Sequence, residues 1–414
     1  MTTARAGDRA GTSGSMERPG TVAPAGANQY EYDRADAPAD ALRLHLNEHT
    51  GGCSAAVTEA VARVTRETVA KYPDYTAVTR AVADHLDVPT SRVLLTNGLD
   101  EGIFAVAIAQ LRPPGVAAGL VRQPARGTSP APAPVSASGT GRKSRIVAGS
   151  LQPVACGLNE ALILEPAFGM YADAVEAVGG TVVRVMPGAG LSLDREAIAA
   201  AVTPLTGALF VASPGNPSGI SLTLAEITWL ASLLPAGALL LLDEAYVEFG
   251  GESFIPHLDR WSNVVVGRTF AKAYGLAGMR VGAVVAREDV ITRLRRVLPP
   301  YSLNVFVVAA LEAALGDRAY MDDYRAQVAE SKRLLYDACE RWGLPCVRSD
   351  ANFVLVRAGD KRQALLDGLQ ARNIYIRDRD RQPGCEGCVR VTTGLVTHTT
   401  TCIAAMEEIL CARA

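Results

Sequence analysis

The chain lacks any long apolar run and any excess of charge of one sign. Its most apolar stretch, Leu233 to Leu242, is broken by Pro235 and Gly237 and falls well short of the ~20 residues a membrane-spanning helix needs. Lysine and arginine number 41 against 43 aspartates and glutamates, a net charge of −2. Nucleic acid or an anionic membrane surface would call for a basic surplus or a basic patch. The balance therefore favours a small-molecule partner, with no nucleic acid and no membrane. Residues 1–30 read Thr, Ala, Gly, Arg, Ser and Pro without an apolar core. A secretory signal is built around such a core, so the expectation is a cytoplasmic protein. Eight cysteines scattered over 414 residues are not the dense framework of a small disulfide-stapled domain. Cys385 and Cys388 form a C-x-x-C with no second pair at zinc-site spacing, and no metal is expected.

What the chain does have is apolar text in short, regular pieces. Its length suggests about 2–3 domains. Residues 1–35 carry few large apolar side chains and read as a disordered tail, unable to offset the entropy of ordering. From Ala41 the pattern changes. Leu42, Leu44 and Leu46 alternate with polar residues as in a short strand, and Val57, Val61 and Val64 recur at helical spacing. Between residues 112 and 150 Ala, Gly, Ser and Pro dominate, and Arg112, Arg122, Arg126, Arg142, Lys143 and Arg145 meet no acid. This reads as a flexible surface insertion, with a docking segment for an anionic partner as the alternative. Further on, the runs Ala161–Leu164, Thr181–Val185, Ala208–Ala212, Ala238–Leu242, Val264–Gly267 and Val281–Val285 alternate with helix-like stretches. That is the pattern of α/β units on a largely parallel sheet. A long helix is expected within Asp317–Trp342, then strands at Phe353–Val356, Ile374–Ile376 and Val389–Val391 in a second, smaller α/β layer.

Three of these strands end in residues that can do chemistry. Ala238–Leu242 runs directly into Asp243; ligands of open α/β sheets bind beyond the carboxyl ends of the strands, although an aspartate there can equally cap a helix. Ala208–Ala212 leads into Ser213-Pro214-Gly215-Asn216-Pro217-Ser218-Gly219, a tight turn that places Asn216 at the same edge. Val264–Gly267 leads to Lys272 within Thr269-Phe270-Ala271-Lys272-Ala273-Tyr274-Gly275-Leu276-Ala277-Gly278-Met279-Arg280. A lone lysine ordinarily faces solvent. One in apolar, glycine-rich surroundings without acids nearby is suited to act as a nucleophile towards carbonyls.

Taken in order, the Asn216 turn, the block Asp243-Glu244-Ala245-Tyr246 and the string Thr269–Arg280 resemble fold-type I pyridoxal-phosphate (PLP) enzymes. Among class I/II aminotransferases the likeness is greatest to histidinol-phosphate aminotransferases, from about Leu42 to the C-terminus without the insertion. The resemblance implies an α/β fold with a large PLP-binding domain at 76–304 and a small domain from 36–75 and 305–414. It implies that Lys272 attaches the cofactor and then serves as general base and acid. Asp243 would pair with the pyridine nitrogen, Asn216 and Tyr246 would hydrogen-bond the ring oxygen, and Phe168 would stack on the ring. Backbone N–H groups of Leu99 and Asp100, in Asn97-Gly98-Leu99-Asp100-Glu101, would hold the phosphate with Thr269 and Arg280. Tyr72, in Lys71-Tyr72-Pro73-Asp74, would reach the phosphate of a neighbouring subunit, which implies a homodimer with shared sites. Arg377 and Arg390 would grip the anionic end of an amino substrate, with a 2-oxo acid as the second substrate. Surface salt bridges are the plainer use of two such arginines.

The pattern departs from the family at three places. Ala271 replaces a serine that touches the phosphate. The segment Asn47-Glu48-His49-Thr50-Gly51-Gly52-Cys53 replaces an Asn-Glu-Asn-Pro-aromatic motif on the substrate side. Asn47 and His49 are therefore candidate substrate contacts, with His49 alternatively an ordinary satisfied histidine. The tail and insertion are atypical and suggest secondary metabolism. Two rivals stand beside transamination: another PLP reaction on an amino acid (decarboxylation, elimination, cyclisation, C–C bond formation or oxidation), and a ligand-sensing regulator on an idle aminotransferase fold. The regulator needs a DNA-binding domain, for which residues 1–40 are too short and too polar.

Overall fold

The computed structural model describes residues 37–111 and 158–411; the tail expected at 1–35 and the insertion expected at 112–150 lie outside them. The two-residue strand β1 is Leu42–Arg43. Strands β2 (Val93–Thr96), β3 (Glu160–Leu164), β4 (Thr181–Val185), β5 (Thr206–Ala212), β6 (Leu239–Asp243), β7 (Val264–Thr269) and β8 (Gly282–Val285) form one sheet. Their order is β2-β8-β7-β6-β5-β3-β4. From β7 to β4 the strands run parallel, and β8 is antiparallel to both β7 and β2.

The sequence of β6, Leu-Leu-Leu-Leu-Asp, is apolar at successive positions because a parallel sheet is covered on both faces. Every residue of β6 is buried. Leu239 and Leu241 pack with Phe210, Ile163 and the helices Gly98–Gln110 and Met170–Ala177. Leu240 and Leu242 pack on the opposite face with Leu209, Leu162 and Leu230. The register Phe210↔Leu241 keeps the two strands in phase. β2 escapes the sequence pattern, since it is four residues long and runs straight into a helix.

The smaller layer contains β9 (Phe353–Arg357), β10 (Ile374–Tyr375), β11 (Arg377–Asp378) and β12 (Cys388–Thr392). Strands β11, β12 and β9 are antiparallel, whereas β10 pairs in parallel with β1. The long helix Arg318–Arg341 and the last helix Val396–Cys411 cover this layer through Leu335, Ala338, Cys402 and Met406. The expected strand through Leu46 stops at Arg43, and further on Asn47 takes φ 55°, outside the extended range. Cys385 and Cys388 lie buried against Leu355 in this layer.

The packing departs from the domain boundaries expected at 75 and 305. Val57 of the helix Ala55–Ala62 packs with Val307 and Leu311 of the helix Val305–Gly316, together with Phe270, Tyr274 and Leu303. These two helices bury their apolar faces against the segment after β7, and so belong with the large sheet. The small layer is built from β1 and the chain after Asp317. Leu241→Ala, at a fully buried position, should cost about 3 kcal/mol through lost burial and the cavity left behind. Equilibrium denaturant unfolding should read this as a lower midpoint with an unchanged slope.

Candidate active site

Strands β5, β6 and β7 run side by side in parallel, so their carboxyl ends deliver Asn216, Asp243 and Lys272 to one edge of the sheet. A cavity of about 700 Å³ opens there, and all three line it. Asp243 is 5% exposed. Its Oδ1 accepts the backbone N–H of Ala245 at 2.9 Å, and its Oδ2 accepts the hydroxyl of Tyr171 at 2.7 Å. Burial raises its pKa to about 6, against the lowering effect of those two bonds. Lys272 Nζ donates to the carbonyl of Leu46 at 3.0 Å and sits 5.9 Å from the centre of the Tyr246 ring.

Asn47 stabilises this wall of the site. Its Nδ2 donates to the Tyr246 hydroxyl at 3.0 Å, and its Oδ1 accepts from Thr392 Oγ1 at 3.1 Å. It therefore orients Tyr246 as well as lining the cavity. Phe168 lines the cavity just before the helix Met170–Ala177, edge-on to Tyr171.

The helix Gly98–Gln110 begins beside the cavity, with Leu99 and Asp100 in its lining. The first N–H groups of a helix have no intrahelical partner and attract anions. Gly98 has φ 71°, and a Cβ there would lie 2.5 Å from Arg280 Nη2. Only glycine leaves room for that guanidinium, which donates to Asp100 Oδ2 at 2.5 Å. Thr269 and Ala271 also line the cavity. Thr269 Oγ1 accepts the N–H of Ala271 at 3.2 Å.

Arg377 and Arg390, which also line the cavity, are cross-strand partners in β11 and β12. Arg390 is 3% exposed. Its guanidinium donates to Asn216 Oδ1 at 2.5 Å and to the carbonyl of His45 at 2.6 Å. Its position is that of a buried, oriented charge, and the surface salt bridge does not describe it.

Two expected site residues stand elsewhere in the single chain. The His49 imidazole is sandwiched between Tyr324 and Tyr320, with ring centres 3.3 and 5.3 Å away, and its Nδ1 accepts the N–H of Gly51. It lines a separate groove with Glu48, Thr50 and Gly275. Aromatic packing holds both faces of the ring, which does not line the cavity that holds Lys272 and Asp243. Tyr72 is 78% exposed, stacked on Tyr301, and it does not line the cavity of its own chain.

Four polar residues of the cavity lining went unnoticed in the sequence: Tyr171, His45, Arg379 and Gln382. Tyr171 stands three residues beyond Phe168, in the first turn of the helix that follows it, and the two rings meet edge-on; that spacing could have flagged it. Arg379 and Gln382 ride on the loop between β11 and β12, which carries no such signal.

The profile of the family Aminotransferase class I and II matches residues 148–406. The chain belongs to the class I and II aminotransferases. The histidinol-phosphate aminotransferase of Roseobacter denitrificans is 30% identical to it over 382 residues, covering 90% of this chain and 92% of that relative. That of Symbiobacterium thermophilum is 32% identical over 342 residues, 82% of each. Among solved structures, the histidinol-phosphate aminotransferase of Sinorhizobium meliloti in complex with pyridoxal 5'-phosphate has the same fold at TM-score 0.73. It is 22% identical, and the match covers 90% of this chain and 91% of that one. This aminotransferase is accordingly a PLP-dependent transferase. The residues present fit that cofactor: an amine, a buried carboxylate and a helix start with a glycine-made cradle for Arg280 face one cavity.

The electrostatics of the cleft generate a prediction. Burial lowers the pKa of both His45 and His49 to about 4; for His45, Arg43 and Arg390 add to the effect. A lowered histidine pKa gives stability that is fully present above the unfolded value of ~6.5 and is lost as pH falls towards the folded value. Asp243, with its raised pKa, acts in the opposite sense below about pH 6. His49→Phe keeps a ring in the sandwich and removes one titrating group. Between about pH 6 and 4.5 its unfolding free energy should fall less steeply than that of the parent, by up to ~1.4 kcal/mol per pH unit. Denaturant unfolding across that range checks this.

Proposed function

We propose that this aminotransferase moves an amino group between a 2-oxo acid and an amino substrate that carries an anionic group. The observation that carries the reading is the placement of Lys272 and Asp243 in one cavity that Arg377, Arg379 and Arg390 also line. Planar guanidinium groups bind carboxylate or phosphate through paired hydrogen bonds. Histidinol phosphate, the compound named in the relatives, has such a group and is the first substrate to test.

Bound PLP supplies a ring that takes up the negative charge developing at the substrate's α-carbon. The protein's own groups do the rest. Lys272 attaches the cofactor and, once freed by the substrate, takes the α-proton on Nζ. Its hydrogen bond to the Leu46 carbonyl keeps the amine at that wall. Asp243 keeps a proton on the ring nitrogen. Asn216 and Tyr246 orient the ring oxygen, with Asn47 setting the direction of the Tyr246 hydroxyl. Phe168 covers one face of the ring, which needs only a π-surface. Leu99 and Asp100 N–H groups, Thr269 and Arg280 hold the phosphate. With Ala271 in place of a hydroxyl, about 1 kcal/mol of hydrogen bonding is given up there. Arg377 and Arg390 hold the substrate's anionic end and align its α-carbon with Lys272.

The proposed assembly is a homodimer. Tyr72, Tyr301, Val69 and Phe306 are large apolar side chains left exposed on the single chain, a surface a second copy would cover. Tyr72 would then reach the partner's phosphate. Among the described residues no helix is long and apolar enough to cross a membrane, and the proposed compartment is the cytoplasm.

The test is the near-ultraviolet and visible absorption of the PLP-loaded protein before and after L-glutamate, beside Lys272→Ala. The expected result is a cofactor band that glutamate converts to the pyridoxamine form in the parent and that never forms normally in the variant. A normal band untouched by glutamate would favour another reaction on an amino acid. Turnover of histidinol phosphate at full metabolic rate would place the enzyme in histidine synthesis and count against a role in secondary metabolism.

A further inference from the structure

The carboxylate of Asp243 is held by a phenol that the roles above leave unassigned. Tyr171 lies in the first turn of the helix Met170–Ala177 and is 1% exposed. Its ring stacks on Phe210 with centres 5.6 Å apart and meets Phe168 edge-on at 5.8 Å. Held between these rings, the phenol presents its hydroxyl to Asp243 Oδ2 at 2.7 Å, while Ala245 N–H takes Oδ1 at 2.9 Å. A carboxylate gripped at both oxygens cannot rotate without breaking one bond, and both bonds favour its ionised form.

We infer that Tyr171 is a positioning residue for Asp243: its hydroxyl fixes the rotation of the carboxylate and keeps it anionic, so that it can hold a proton on a cationic ring nitrogen. The inference rests on the reading of Asp243 as the partner of the cofactor's pyridine nitrogen. The charges around Asp243 explain why such help is needed. Burial is the largest influence and disfavours its ionised form; Asp100 adds to this, and Lys272 opposes it, as do the bonds from Tyr171 and Ala245. Tyr171 itself stays a donor, because burial and the neighbouring Asp243, with Tyr246 and Asp100 in the same sense, push its own ionisation well above the usual range. Phenylalanine would keep the packing against Phe210 and Phe168 and remove only the donor.

Tyr171→Phe, Asp243→Asn and the double variant, as full-length PLP-loaded proteins, are compared with the parent. The readouts are kcat, KM for L-glutamate, and the cofactor's absorbance as a function of pH. Tyr171→Phe should lower kcat about tenfold, the value of one hydrogen bond to a charged group, and leave KM within about twofold. It should shift the pH dependence of the cofactor band and add no loss in the Asp243→Asn background. In the full chain stripped of cofactor, the carboxyl carbon of Asp243, followed by nuclear magnetic resonance, should titrate at higher pH in Tyr171→Phe. An unchanged carboxyl titration, or an equal kcat loss with and without Asp243, would overturn the inference. A crippled Asp243→Asn beside an unaffected Tyr171→Phe would overturn it alone. An unaffected Asp243→Asn would remove the reading of Asp243 and the inference with it.

Discussion

A buried guanidinium joins the two layers of this molecule. Arg390 comes from the small sheet, yet its hydrogen bonds go to Asn216 on the turn after β5 and to the carbonyl of His45 beyond β1. Its guanidinium carbon lies 5.2 Å from the centre of the Phe353 ring. A charge taken out of water must be hydrogen-bonded, and removing a partner leaves it uncompensated at a cost of several kcal/mol. The layers therefore cannot separate without exposing or orphaning this charge. The same guanidinium lines the cavity where a substrate's anionic end would sit.

The remaining geometry is set by the sheet. Parallel strands place their carboxyl ends on one edge, so Asn216, Asp243 and Lys272, which are far apart in sequence, become neighbours around one cavity. Bonds from outside the sheet then orient Asp243, Lys272 and the nearby Tyr246: Tyr171 to Asp243, Leu46 to Lys272 and Asn47 to Tyr246. Two of these three bonds come from the segment before the first helix. Of the stretch from Asn47 to Cys53, Asn47 acts on the site by orienting Tyr246, while His49 is held in a tyrosine sandwich.

The strand runs and the residues that close them were legible in the sequence because a doubly covered strand is apolar at every position and its end is marked by the first polar residue. Asp243 shows itself this way, Asn216 through the Gly/Pro turn after its strand and Lys272 through its apolar, glycine-rich surroundings; the family resemblance assigned their roles. Tyr171 was not found, because a tyrosine at helical spacing looks like core until its hydroxyl is seen to meet a carboxylate. His49 misled for the opposite reason: a lone histidine beside a motif shows its titratable ring and hides its stacking partners, Tyr320 and Tyr324, which lie some 270 residues further along. The packing that joins the helices Ala55–Ala62 and Val305–Gly316 across the expected domain boundaries was not legible, because sequence distance carries no trace of it. Tyr72, exposed on the single chain, has its proposed role only in an assembly of two.

The account stands or falls on the amine that carries the cofactor. The PLP-loaded protein is treated with sodium borohydride, which makes an amine-bound cofactor permanent, then digested and mapped by mass spectrometry. The account predicts a pyridoxyl adduct on the peptide bearing Lys272 and at no other lysine. An adduct spread over surface lysines, or a Lys272 peptide of unmodified mass, would contradict it.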